Sequence, residues 1–355
     1  MTGLSDQTLW IAAGFELAYL LLGLGLLFGH AIWLRWEEHR YASRMSAGRA
    51  VLTRAVGGGG LTPEDVTLFR QLPLHRQLAL ISEWGTNVSG EGAAIVGRLS
   101  EQLGLARAAE QMCRSWWWSR RVRGVRTLTV LVEKSEVVPA LFQDRSPVVR
   151  SQVAYWAASH PTPASIEALL RMLGDPDRFC QFAAMDALHR MGTVVIDPLV
   201  HFVTNEKGPQ VDLAMSVIST MGDEHFVHVA RTMIVAERAL TRAFAAKVLG
   251  TVGGVGQIDL LLARLEDSVP VVREAAVAAI GGLGHWPVAP RVARLLNDQE
   301  WTVRHAAALS LRALGAPGHL FLRRALKGTD RYAVDMARHV LDLPVGHHHP
   351  SSRAA

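Results

Sequence analysis

Two histidine groupings and a recurring acid–base pair are the residues of this chain whose types and spacing suggest chemistry. His225 and His228 follow Glu224 at i, i+3 spacing, which on a helix sets two imidazoles and a carboxylate near one another, a donor set for a divalent cation. The spacing matches no standard zinc motif, and two surface histidines on one helix are more often solvated than ligating. His347, His348 and His349 lie in a polar tail, where they bind metal weakly without forming a site. The chain has no phosphate-cradling loop, no nucleophile elbow and no paired-carboxylate motif. What does recur is aspartate with arginine: Asp144 and Arg150, Asp175, Arg242, Asp267 and Arg273, Asp298 and Arg304. A catalytic set is not normally copied along a chain. These residues predict no enzyme, no cofactor and no metal.

The elements that carry them follow from the spacing. Segments starting at Asp144, Asp175, Ala236, Asp267 and Asp298 occupy one register, with starts 31 residues apart where they are consecutive, and Asn205 fills the missing step. Gly192, Gly222, Gly253, Gly284 and Gly315 close the copies at intervals of 30 or 31. A period in this range means a stacked solenoid rather than one globular core. Within a copy, Val272, Ala276, Ala279, Ile280 and Leu283 follow helical spacing and make one buried face. Residues 257–265, with Leu260, Leu261 and Leu265, make the partner helix. The closing glycine suits a left-handed position just past a helix end.

The pattern Asp-x-x-Pro-x-Val-Arg, then Ala-Ala at the next turn and Leu-Gly at the close, resembles the HEAT repeat, especially its short bacterial variety related to phycobilin-lyase repeats. The resemblance covers residues 114–343. It is best at Asp144, Asp267 and Asp298; the copies at Asn205 and Ala236 lack the first aspartate, Gln181 and Val211 interrupt the arginine series, and the copy near Asp330 is degenerate. It implies a right-handed α-solenoid of about seven two-helix repeats. It also implies that the repeated Asp and Arg bond between adjacent repeats, as a structural ladder. HEAT-fold hydroxylases hold iron with repeated His-Glu pairs, and none occurs here; likeness to bilin lyases rests on the repeat alone, and the N-terminus argues against it.

That N-terminus is the second strong signal. Residues 9–34 are apolar apart from Glu16 and His30, long enough to cross a hydrocarbon layer of about 30 Å. Asp6 and the lack of Lys or Arg before residue 9 do not fit the basic start of a cleaved signal peptide. Arg35, Arg40, Arg44, Arg49 and Arg54 follow the span, so the solenoid is expected in the cytoplasm, with residues 1–8 outside a plasma (inner) membrane. Cys113 and Cys180, the two cysteines, form no disulfide framework. Gly14, Ala18, Gly25 and Gly29 line one side of the span with Glu16 nearby; they mark either a helix partner, including self-association, or the ordinary glycine content of membrane helices. Trp33 and Trp36 mark the inner interface.

Residues 35–61 read as a basic juxtamembrane segment and glycine-rich linker, residues 62–111 as a helical cap of two or three helices starting at the Thr62 N-cap, residues 112–343 as the solenoid, and residues 344–355 as a tail. Residues 114–126 carry five arginines and Trp116, Trp117 and Trp118 with no acid. Three readings compete for Trp116, Trp117, Trp118, Arg120, Arg121 and Arg123: a capping unit built on bulky buried aromatics, a docking surface for anionic headgroups or a membrane-protein partner, and a nucleic-acid contact. The expected concave face bears Tyr155, Phe182, Asp186, His189, Asp212, Lys247, Glu274, His305 and Arg312. Its mixed charge fits a protein partner better than a duplex. The sequence thus predicts a membrane-anchored cytoplasmic scaffold or adaptor; the alternative is an enzyme or enzyme subunit acting on lipid-linked or nucleic-acid substrates.

Overall fold

The computed structural model describes residues 6–85, 88, 90–131 and 134–344. The expected extracytoplasmic start, up to residue 5, and His347 to His349 in the tail lie outside these. Among the described residues every regular element is helical. The chain divides into two compact units, residues 1–135 and 136–355.

The first unit contains α1 (Asp6–Arg54), α2 (Pro63–Arg70), α3 (Leu74–Gly85), α4 (Glu91–Gln102), α5 (Leu105–Cys113) and α6 (Trp118–Leu131). Within α1, Gly14–Ile32 is a 19-residue stretch of mean hydropathy 1.7 with none of it buried. At 1.5 Å per residue it extends about 28 Å, long and apolar enough to cross a membrane. The same helix continues through residues 35–54, the expected basic juxtamembrane segment. The reason is visible in the spacing: Tyr41, Met45, Gly48, Leu52 and Ala55 recur at helical intervals, Gly48, Leu52 and Ala55 are buried, and Tyr41 and Met45 pack against the same core. The chain breaks later, in a π-turn over Ala55–Gly59 where Gly58 takes φ 102°.

Thr62 then starts α2 with a reciprocal cap. Its hydroxyl accepts from the Asp65 N–H at 3.3 Å, and Asp65 accepts from the Thr62 N–H at 2.8 Å. Arg54 closes on the same carboxylate at 2.6 Å. Burial pushes the Asp65 carboxyl up, but the bonds from Thr62 and Arg54 outweigh it and hold the group below its ordinary value. The residues between Thr62 and Cys113 form four helices rather than two or three, because the turns at Gln71–Pro73 and Leu103–Gly104 are too short to show as breaks in the apolar pattern. Their core is Leu52, Phe69, Leu80, Ile81, Leu99 and Leu105. At Gly124 a methyl group would lie 2.6 Å from the Ala109 carbonyl oxygen, so only glycine lets α6 cross α5 this closely.

The second unit alternates long and short helices. The long ones are α7 (Pro147–Ala158), α9 (Arg178–Met191), α11 (Pro209–Met221), α13 (Ala239–Val252), α15 (Pro270–Leu283), α17 (Trp301–Ala313) and α19 (Arg331–Asp342). Between them lie α8 (Pro163–Met172), α10 (Ile196–Asn205), α12 (Val227–Met233), α14 (Ile258–Arg264), α16 (Ala289–Arg294) and α18 (Ala316–Ala325). Each long helix packs on the next, and the short helices form a second layer, so the unit is an α-solenoid of helix pairs. Proline at the first position of α7, α11 and α15 gives up an N–H that has no helical partner there.

Small residues set the helix spacing. A methyl at Gly250 would meet the Ala279 side chain at 2.4 Å, and one at Gly281 would meet Ser310 Oγ at 2.6 Å, so α13, α15 and α17 approach almost backbone to backbone. Val272, Ala276, Ala279 and Ile280 are buried, as the helical period requires. Gly222 and Gly284 end their helices in the left-handed region; at Gly253 the expectation fails, since its φ is −77° and the neighbouring Gly254 takes the positive φ instead.

Candidate interaction surfaces

The recurring acid–base pairs are brought together across repeats. Arg150 donates to Asp175 at 2.7 and 2.8 Å, Arg242 to Asp267 at 2.8 and 2.8 Å, and Arg273 to Asp298 at 2.8 and 2.8 Å. The remaining guanidinium nitrogen turns back to carbonyl oxygens of its own loop: Asp144 for Arg150, Ala236 for Arg242 and Asp267 for Arg273. Each arginine therefore ties two loops and the next repeat together with its full fork. The aspartates also accept the N–H two residues on, from Asp177, Val269 and Glu300. Burial pushes these three carboxyls up; the arginine bonds and those backbone N–H groups more than offset it, leaving each below the ordinary carboxylate range.

Where the sequence pattern lapses, the ladder changes form. Gln181 reaches only its own Asp175 carbonyl, at 2.7 Å. Val211 stands where an arginine would, and the next residue takes over: Asp212, 4% exposed, accepts from Arg238 at 2.8 Å and from Thr241 Oγ1 at 2.6 Å. The acid now sits in the earlier repeat and the base in the later one. Asp212 is thus a buried tie and not part of an exposed face, which corrects its assignment to the concave surface. At the other end Arg304 donates to the carbonyls of Asp298 and Gln299, at 2.7 and 2.8 Å, and lies 5.0 Å from the Tyr332 ring centre instead of meeting another acid.

The other residues of the expected face divide by exposure. Tyr155, Phe182, Asp186, His189 and Lys247 are exposed, whereas Glu274, His305 and Arg312 are half-buried. Arg312 is committed to the carbonyls of Val340 and Pro344, at 3.0 and 2.8 Å. His305 stacks on Trp301 with ring centres 4.9 Å apart. A different row stands out along the long helices. Val148, Phe179, Leu240, Val271, Trp301 and Tyr332 each lie in the first turn of one of them and are exposed, Phe179 at 79%. They recur at 30 or 31 residues where copies are consecutive, and Gln210 interrupts them in α11. The expected face lies along the middle of these helices, whereas the apolar row lies at their starts in the same period.

Trp116, Trp117 and Trp118 are 87%, 66% and 51% exposed, which overturns the capping reading based on buried aromatics. The physical reason is the turn between α5 and α6. Arg121 donates to the carbonyls of Ser115 and Trp116, at 2.9 and 2.8 Å, and Ser115 Oγ accepts from the Trp117 N–H, so the loop is pinned with its indoles outward. Arg120 and Arg123 are exposed beside them. In α1, Gly14, Glu16, Ala18, Gly25 and Gly29 are exposed as well, and Arg40 lies 5.1 Å from the Trp36 ring centre. Arg49 and Arg54, two of the five arginines between residues 35 and 54, are taken up by Glu83 and Asp65 within the unit.

His225 is held by Asp223, with Nδ1 2.6 Å from Oδ1, and this bond raises the imidazole above its ordinary value. Among the described residues no three His, Cys, Asp or Glu side chains are placed to share a metal ion.

A family model described as HEAT repeats matches residues 135–219 and 258–341. An uncharacterized phycocyanin operon protein Z from Pseudanabaena tenuis (strain PCC 7409) is 44% identical over 54 residues, covering 15% of this chain and 27% of the relative. Among solved structures, Kap95p in a study of its binding to RanGDP is 12% identical with a TM-score of 0.50, covering 82% of this chain and 51% of that one. The CpcE–CpcF complex of phycocyanin lyase from Nostoc sp. PCC7120 is 15% identical with a TM-score of 0.32, covering 67% of this chain and 93% of that one. The chain therefore spans about a quarter of the curated relative and about half of Kap95p. The helix pairs, their cross-repeat ladder and the matched segments agree: residues 135–219 and 258–341 match HEAT repeats, and the fold they build is an α-solenoid.

Proposed function

We propose that this protein is a membrane-anchored scaffold or adaptor whose solenoid holds a protein partner at the cytoplasmic face of a membrane. The observation that carries the reading is the exposed apolar row Val148, Phe179, Leu240, Val271, Trp301 and Tyr332, repeated on helices locked to one another by buried ion pairs. Packed helices lie about 8–10 Å apart, so the row offers regularly spaced anchor points on a support tied from repeat to repeat. The stretch Gly14–Ile32 supports anchoring, and the arginines that follow it support a cytoplasmic solenoid. Confinement to a surface raises the effective concentration of even a weak contact. No covalent step is required, and no cofactor is invoked.

Two measurements test this. The chain and a version lacking residues 1–34 are compared by affinity capture from gently solubilised membranes, with the expectation that a stoichiometric partner is recovered with both and a membrane-protein partner with the full chain. A reporter that works only in the cytoplasm, fused after Ala355, should be active; activity of an extracytoplasmic reporter instead would reverse the orientation.

A further inference from the structure

The three tryptophans of the turn between α5 and α6 are not among the core residues of their unit. Three indoles in sequence face solvent, an amount of apolar area that soluble surfaces rarely leave bare. Arg114, Arg120, Arg123 and Arg126 are exposed around them, none of residues 114–126 is acidic, and none of these four arginines is in an ion pair among the described residues. Aromatic rings with a polar edge beside cations that keep their full charge match the chemistry of a bilayer surface carrying anionic headgroups.

Height within the unit points the same way. Arg49 follows Ile32 by 17 residues, about 25 Å along α1. The next helix runs back toward the span, since Asp65 in its first turn meets Arg54 while Phe69 near its end lies against Gly48. A three-residue turn reverses the chain again, and α3 climbs away from the span, with Glu83 on Arg49 and its last residue, Gly85, against Val130. The end of α6 is thus at the level of Arg49. From Val130 back to Trp118 is 12 residues, about 18 Å, against about 25 Å from Arg49 to Ile32, so α6 is long enough for its first turn to reach the headgroup layer at the end of the apolar stretch.

We infer that Trp116, Trp117 and Trp118, with Arg120 and Arg123, form a second membrane contact that seats the first unit on the anionic leaflet from which α1 emerges. The inference rests on the reading of Gly14–Ile32 as a membrane span. It gives α1 a fixed tilt, and with it a fixed height for the helices packed on its second half.

The test uses the full chain in lipid nanodiscs, of phosphatidylcholine alone or with about 30% phosphatidylglycerol to supply anionic headgroups. The emission of the three indoles is obtained by subtracting that of W116F/W117F/W118F, and is challenged with aqueous acrylamide and with a lipid carrying a headgroup nitroxide. Anionic discs should shift this emission to shorter wavelength, protect it from acrylamide and expose it to the lipid quencher. Replacing Arg120 or Arg123 by Gln should lower the docked-to-undocked ratio about fivefold each, and about 1 M salt should reproduce the double variant in anionic discs. A chain that enters the discs while its indoles stay open to acrylamide in both lipids overturns the docking alone. A chain that does not co-elute with discs overturns the span and the docking together. Emission that responds to added RNA or a captured protein, but not to anionic lipid, overturns the lipid assignment.

Discussion

Replacing Asp267 with alanine removes one rung of the ladder, together with a longer contact of 3.8 Å to Arg264. Its carboxylate, 5% exposed, takes both 2.8 Å bonds from Arg242, which is itself 12% exposed, and a third bond of 3.0 Å from the Val269 N–H. In the variant Arg242 keeps its bonds to the carbonyls of Ala236 and Glu237, but half of its donor fork is left desolvated with no acceptor. Stranding one member of a buried pair costs about 3–5 kcal/mol. In a solenoid, stability is close to a sum of repeat and neighbour contributions, so the loss should concentrate in α13 and α15 rather than spread over the chain. At tenfold per 1.4 kcal/mol, their slowest amides should exchange with solvent roughly a hundred- to a few-thousand-fold faster. Hydrogen exchange on the full chain, resolved by peptide, reads this directly. The variant Arg242→Met with Asp267→Leu removes both charges and should recover most of the protection. Exchange in α13 and α15 within about threefold of wild type for Asp267→Ala, or a double variant as labile as the single, would refute the ladder as an energetic element.

The depressed carboxyls of Asp175, Asp267 and Asp298 add a pH dependence. Because their folded values lie below the unfolded value of about 4, their contribution is complete above that pH and fades as pH falls through the lower folded values. Melting temperature should therefore be flat down to about pH 5 and drop below about pH 4, and an acid-insensitive melt would contradict the pairing. Gly250→Ala should destabilise by about 1–3 kcal/mol through its collision with Ala279, while Gly97→Ala, in open space within α4, should stabilise by about 0.5–1 kcal/mol. Denaturation midpoints check both, and equal shifts would sink the close-approach argument. Burial pushes the Cys113 thiol up to about 12 and the Cys180 thiol up to about 11, so iodoacetamide at pH 8 should label neither before unfolding. Rapid labelling of the folded chain would show that these sites open.

The solenoid was legible because one period governs three independent features: the buried face of α15, the glycine ends and the Asp–Arg pairs. The Thr62 cap was legible for a similar reason, since Thr-Pro at the start of an apolar period has few structural alternatives. What the sequence hid was context. Residues 35–54 show first as a basic segment, and only the buried spacing of Gly48, Leu52 and Ala55 makes them part of a packed helix. Asp212 carries no mark of burial, because its partners Arg238 and Thr241 come from the following repeat and break the register of the other pairs. Trp116 to Trp118 are the opposite case. Their size argued for a core, and a turn pinned by Arg121 holds them outside it.

The most direct measurement of the scaffold account compares affinity capture by the full chain with capture by a variant carrying Phe179→Ser, Leu240→Ser and Val271→Ser. All three side chains are exposed, so circular dichroism and melting should match wild type. The account predicts one stoichiometric protein with the wild-type chain and its loss with the variant. Recovery of the same partner in the same amount by both would contradict it.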